Sequence, residues 1–253
     1  MRTTRLFVPA IVLIVFAAVW EVAVRGLAVP VWILPSPSAI WQSFWETRGL
    51  IGVHVGQTLL EVAIGVAVAV TAGVAVAAAM DFSPWLRRAI YPLLVISQTV
   101  PIIALAPLLI IWFGFGIVPK VIVVTLFCFF PIAVNTSDGL TATEPDIVDL
   151  FRSMGATWPQ IWRKVRLPAA GTYFFSGLKI AATYSVAGAV VGEWVGAKQG
   201  LGIYLLRMSA AFKTASVFMT IAIISLLSIV LFLTVFVIER RVMPWYFAER
   251  SET

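Results

Sequence analysis

The sequence predicts an all-α membrane protein with six transmembrane helices, and three observations carry that prediction. Of its 253 residues, 61% are hydrophobic and only 12% charged, against roughly 25% charged in an ordinary soluble domain. The mean hydropathy is +1.00. The apolar residues gather into six runs, 7–27, 57–80, 89–113, 117–137, 169–195 and 214–238. Each meets the roughly 20 residues that a helix rising about 1.5 Å per residue needs to cross a bilayer core. Residues 1–253 read as one transmembrane domain.

The first run follows Arg2 and Arg5 and resembles the apolar part of a signal peptide. It continues to Leu27 with five further runs behind it, so a retained first helix is the better reading. After it, "VPVWILPSPSAIWQSFWETRGL" contains helix-stopping prolines. Ser38 is then positioned to cap a short amphipathic turn bearing Ile40, Trp41, Phe44 and Trp45. Trp-rich turns of this kind sit at the headgroup level, and "GLGIYLLRMSAAFK" (200–213) should lie on the same face. The second run offers Ala69, Gly73 and Ala77 at four-residue steps, a packing stripe. Read as one helix, 89–137 would be about twice the bilayer thickness, so "GFGIVPK" (114–120) is a turn between two spans. The last run contains no charge.

Orientation follows from the basic residues. With both ends inside, the cytoplasmic segments hold Arg2, Arg5, Arg87, Arg88, Arg152, Arg163, Lys164, Arg166, Arg240, Arg241 and Arg250. The outer segments hold only Arg25, Arg48, Lys120, Lys198, Arg207 and Lys213. This asymmetry predicts N-in and C-in. It also accounts for the net charge of +6 without nucleic acid, since no basic stripe with interleaved aromatics is present. One cysteine, Cys128, and one histidine, His54, exclude a disulfide framework and a Cys/His metal cluster.

One segment, 139–168, interrupts the hydrocarbon between the fourth and fifth runs. Ile147, Leu150, Phe151, Met154, Ile161, Trp162 and Val165 recur there at helical steps, with Gly155 and Pro159 marking a bend. Two short amphipathic helices are predicted, and Pro168 is expected to impose a boundary before the fifth span. A headgroup-binding segment would be basic throughout. Here Glu144, Asp146 and Asp149 precede Arg152, Arg163, Lys164 and Arg166, an order suited to a protein partner.

The spacing Asp149-Leu150-Phe151, three residues, Gly155, nine residues, Val165-Arg166-Leu167-Pro168 resembles the "EAA" loop of bacterial ABC importer permeases. Gly155, Leu167 and Pro168 match that pattern outright, Asp149 replaces its glutamate and Val165 its isoleucine, and Leu150 and Phe151 depart from its alanines. "LPSPSAIWQSF", "VPIIALAPLLIIWFGFG" and "FPIAVNTSDGL" are similar to the sulfonate/nitrate/taurine permease family. "SQTVPIIALAPL", "GLKIAATYSVAGAVVGEW" and "ERRVMPW" look most like its thiamine- and riboflavin-precursor (hydroxymethylpyrimidine-type) branch.

The resemblance implies a type I ABC importer permease fold with cytoplasmic coupling helices, in the bacterial inner (cytoplasmic) membrane. It also implies a permease homodimer, two ABC ATPase subunits and an extracytoplasmic solute-binding protein. Asp149, Leu150, Phe151, Arg152, Met154, Gly155, Ala156, Leu167 and Pro168 would couple to the ATPase, with Gly155 allowing close backbone approach. The chain has no G-x-x-x-x-G-K-[ST] phosphate loop. ATP and Mg therefore belong to the partner, and no cofactor is expected in this chain.

Polar residues inside apolar runs are costly and mark paths or helix braces. Ser97, Gln98, Thr99 and Pro101 in the third run, Asn135 in the fourth, and Tyr184, Ser185 and Glu193 in the fifth are candidates for a translocation path. Hydroxyls and amides that only brace helices are the competing reading. Glu61, Lys179 and Glu193 could instead snorkel toward the interface. A membrane enzyme is excluded by the absence of H-E-x-x-H, of G-x-S-x-G and of any catalytic set around His54. A secondary transporter or channel would need midplane carboxylates or repeated broken helices, and neither is evident.

Overall fold

Pro37 opens a helix that runs unbroken to Phe82. The computed structural model describes residues 4–249, and among them every regular element is helical. Arg2 and Arg250, counted above for topology, lie outside these residues, as does the side chain of Arg5. Helix α1 spans Thr4–Gly26 and α2 Pro37–Phe82. At 46 residues, α2 is roughly 69 Å long, twice a bilayer core. The amphipathic turn and the run 57–80 are therefore one rod and not two elements, because no proline falls between Pro37 and Pro84.

The cap also differs from expectation. Ser36 accepts from the Ala39 N–H at 3.4 Å with Pro37 at the first helical position. Ser38 sits inside the first turn and donates its hydroxyl to Glu21 Oε1 at 2.8 Å, fastening α1 to α2.

The run 89–113 is not one continuous helix. It divides into α3, Pro84–Ser97, and α4, Ile102–Phe113, bent by 99°. Helix α5 is Val118–Thr141, α6 Pro145–Ser153 and α7 Trp158–Ile161. A π-helical turn, Trp162–Arg166, feeds α8, Leu167–Glu193. Then follow α9, Leu201–Ala210, α10, Thr214–Val242, and α11, Pro244–Glu249. Pro168 therefore ends nothing. The π turn, closed by the Leu167 N–H on the Trp162 carbonyl, lets the helix continue from Trp158 to Glu193 past a residue that lacks an N–H.

Among the described residues, four helices are individually long and apolar enough to cross a membrane: α2, α5, α7 to α8, and α10. The α3–α4 pair brings the number to five. The predicted six is not reached by these criteria, although the first run is helical as α1.

The core is the packing of α2, α5 and α8, centred on Val62, Ala69, Val124, Cys128, Ile132, Ala181, Val186 and Ala189. The stripe on α2 performs as read: Ala69 and Ala77 are fully buried, and a Cβ on Gly73 would press on Ile132. Small residues let helices approach where lipid provides no hydrophobic drive between them. The segments 37–56 and 200–213 pack together through Ile40, Phe44, Ile51, Leu201, Tyr204 and Met208, while Trp41 and Trp45 point outward.

Candidate functional site

The break between α3 and α4 creates a cleft. Pro101 cannot donate an N–H and biases Val100 toward extended backbone, so α3 ends there. Its last carbonyls would be costly if left bare in a membrane. Ser97 donates its hydroxyl to the Leu94 carbonyl at 2.7 Å and Thr99 to that of Ile96 at 2.8 Å. Those two hydroxyls cap a helix end and do not line the cleft.

Gln98, Val100, Pro101 and Ile102 form one wall, facing Phe127, Phe130, Pro131 and Asn135 of α5 and Ile180 and Tyr184 of α8, around about 540 Å³. That falls in the range of small-molecule sites, roughly 300–1,000 Å³. Of the predicted path residues, Gln98, Pro101, Asn135 and Tyr184 meet here. Asn135 Nδ2 donates to the Pro131 carbonyl at 2.7 Å, so one amide proton is engaged within α5. Ser185 is fully buried and bonds the Ala182 carbonyl at 2.8 Å. Glu193 lies at the far end of α8, away from this cleft.

The segment 145–168 folds as the predicted helix pair. Helix α6 ends in a Schellman closure: the Ala156 N–H reaches the Phe151 carbonyl at 3.0 Å and the Gly155 N–H that of Arg152 at 2.9 Å. Gly155 has φ +80 and no neighbour within 4 Å of where a Cβ would stand. Within this chain the glycine answers to backbone conformation, not to close approach. Val148 and Ile161 are buried, whereas Ile147, Leu150 and Met154 form an exposed apolar row with Met154 75% exposed. Asp149 pairs with Arg152 at 3.1 Å. Phe151 and Ala156 are half-buried, and Leu167 and Pro168 are exposed.

The anchor of this segment is a residue that the sequence reading passed over. Asp81, at the end of α2, accepts from Trp162 Nε1 at 3.0 Å and from Arg166 Nη1 at 2.8 Å. Phe82 stacks on Trp162 at 5.7 Å, and the Arg166 guanidinium covers the Trp158 ring at 4.6 Å. In sequence, Asp81 was only a charge closing an apolar run.

Midway along α2, beside Thr58, Glu193 is fully buried. It accepts from Thr58 Oγ1 at 2.6 Å and from the Gly202 N–H. Thr58 also accepts the Leu201 N–H at 2.9 Å, and His54 Nδ1 accepts the Gly200 N–H at 3.0 Å. These side chains satisfy backbone donors that the start of α9 leaves open. Glu61 pairs with Lys120 at 2.8 Å and Lys179 with Glu239 at 2.9 Å. Glu61, Lys179 and Glu193 are thus held by protein partners, and none snorkels.

Residues 69–244 match the family described as binding-protein-dependent transport system inner membrane component. The chain belongs to this family. It is 38% identical over 245 residues to the formylaminopyrimidine transport permease protein ThiX of Halalkalibacterium halodurans, covering 96% of this chain and 98% of that one. It is 30% identical to the riboflavin transport system permease protein RibX of Chloroflexus aurantiacus, over 93% of this chain and 88% of the relative. It is 28% identical to the taurine transport system permease protein TauC of Escherichia coli, over 90% and 85%.

The fold matches a chain of the inward-facing MetNI methionine ABC transporter with a TM-score of 0.59 at 22% identity, covering 83% of this chain and 98% of that one. The permease therefore has the type I importer fold, and it is the membrane-embedded transport subunit of an ABC importer, not itself an enzyme. Family membership implies an ATPase and a binding protein as its partners.

Proposed function

We propose that the permease carries a small polar heterocycle of the thiamine-precursor pyrimidine class through the cleft bounded by Gln98, Pro101, Asn135 and Tyr184. The observation that carries this reading is the composition of that cleft. Two side-chain amides and a phenol stand among Phe127, Phe130 and Ile180. Aromatic faces take a flat ring, and amides match ring nitrogens and exocyclic amino groups. The formylaminopyrimidine named for the 38% identical relative belongs to that chemical class.

Two copies of the chain form the path between them, with two ATPase subunits holding ATP and Mg. Each ATPase docks on the exposed row Ile147, Leu150 and Met154. Asp149 and Arg152 border that row, and Phe151, Gly155, Ala156, Leu167 and Pro168 shape the segment behind it. Both termini then lie in the cytoplasm, and the binding protein loads the α8–α9 end.

The test is uptake of labelled formylaminopyrimidine or hydroxymethylpyrimidine into liposomes holding permease, ATPase and binding protein. Gln98→Leu is expected to lose about 1–2 kcal/mol for an unmatched bond, lowering uptake about 5- to 30-fold with the complex intact. Pyrimidine uptake at the wild-type rate in this variant removes Gln98 from the path. Uptake of taurine in place of pyrimidine overturns the substrate class.

A further inference from the structure

We infer that Asp81 is a positioning residue for energy coupling: it makes α2 move with α8 when the segment α6–α7 is displaced. The inference rests on the docking of an ATPase at that segment, proposed above. Helix α8 needs no joint, because it is continuous with α7 through the π turn. Helix α2 has no such covalent link, since α3, α4 and α5 intervene in the chain. It joins the segment through side chains.

Trp158, Trp162 and Arg166 follow at four-residue steps, and the wide π turn brings the last two to one side. A single carboxylate, 2% exposed, receives both Trp162 and Arg166. Arg166 lies over Trp158, so the three side chains form one block on Asp81. Beneath them, Ala77, Leu140 and Ala170 pack with Trp162. Asp81 supplies the direction-specific part of the joint, because the charged hydrogen bond is stronger than a neutral one and fixes geometry.

Midway along the same rod, His54, Thr58 and Glu61 hold the start of α9 and the start of α5. Core packing couples α2 to α8 along the bundle, and Asp81 fixes the direction in which a push on the π turn enters that rod. Without it, α2 follows α8 incompletely.

The experiment uses the full transporter with ATPase and binding protein in liposomes, in a Cys128→Ala background. It reads solute delivered per ATP hydrolysed, melting temperature, and disulfide cross-linking from Met154→Cys to a cysteine on the ATPase. Asp81→Asn keeps an acceptor for Trp162 and removes the charge that Arg166 needs. It is expected to lower solute per ATP several-fold while the cross-link still forms, and Asp81→Glu is expected to restore most of the ratio. Arg166→Gln, changed at the partly exposed partner, gives the same loss, and the double variant is no worse than either single one. A lower melting temperature with a wild-type ratio in both single variants overturns the inference and leaves Asp81 a brace. A cross-link absent even with wild-type Asp81 overturns the docking reading, and the inference with it.

Discussion

The middle of α2 and its C-terminal end use similar chemistry to opposite effect. At the α9 end, Glu193, Thr58 and His54 meet the backbone donors of Gly200, Leu201 and Gly202, and Lys120 meets Glu61. The carboxylates there are fully buried. At the π-turn end, Asp81 meets Trp162 and Arg166, but Arg166 is partly exposed and the row Ile147, Leu150 and Met154 beyond it is bare. One region is closed within the chain. The other is braced from behind and left open in front, as a surface that works by being pushed must be. A buried polar group is expensive unless it is paired, so it is the burial of paired charge, set against a bare apolar row, that separates the closed region from the open one.

The sharpest way to break that contrast is to unpair the closed region. Lys120→Met leaves Glu61, wholly buried, with only the Gln57 amide at 2.8 Å. Breaking a buried pair from one side costs about 3–5 kcal/mol, whereas replacing both partners with apolar groups is often neutral. Lys120→Met should therefore destabilise the purified permease strongly in denaturant titrations within lipid nanodiscs. Glu61→Leu combined with Lys120→Met should recover most of the loss. If the double variant is as unstable as the single, the pair does more than neutralise itself.

Glu193→Ala is the next test. It strands the Gly202 N–H, left unmet at about 1–3 kcal/mol, while the Thr58 hydroxyl falls back on the His54 carbonyl at 3.1 Å. Gly200 beside it has φ +129, and a Cβ there would overlap the Glu193 carboxyl, so the loop is built around that carboxylate. The expected loss is about 1–3 kcal/mol on the same titration, with α9 amides becoming the first to exchange with deuterium. Unchanged α9 protection would show that apolar packing by Leu201 and Tyr204 seals this end alone.

The contrast also explains what the sequence could reveal. The small-residue stripe on α2 and the bent amphipathic segment rest on local periodicity, and they read correctly, whereas the apolar runs announced helix without its bounds: 57–80 lies inside a longer rod and 89–113 breaks in two. The length of α2 was hidden by an assumption that helices stop at the membrane surface. The signal against it was the absence of proline from 38 to 83. A proline such as Pro101 bends a helix, but the full break depends on Ser97 and Thr99 turning back onto α3 carbonyls, which spacing alone does not distinguish from lining a path. Asp81 and Glu193 act on partners 85 and 135 residues away. No local pattern announces such a pairing, and a charge at the end of an apolar run looks the same whether it faces water or a buried tryptophan.

The smallest expected effect concerns the open end and separates two reasons for Gly155. The residue sits at φ +80 with free space around it. An L-residue there costs roughly 1–2 kcal/mol, and asparagine tolerates the conformation better than alanine. Because α6 is peripheral to the core, global stability should barely move in any variant. Amide exchange at Gly155 and Ala156, whose N–H groups close the end of α6, should quicken for alanine and leucine and much less for asparagine. Solute delivered per ATP then decides. If conformation is the requirement, alanine and leucine lower the ratio alike and asparagine stays near wild type. If instead an ATPase backbone must come close, the loss follows side-chain size, so alanine is mildest and asparagine and leucine are both severe. The second ordering would mean that the open space around Gly155 is the imprint of a partner, and it would place the contact surface at the bend of the segment and not on the row Ile147, Leu150 and Met154.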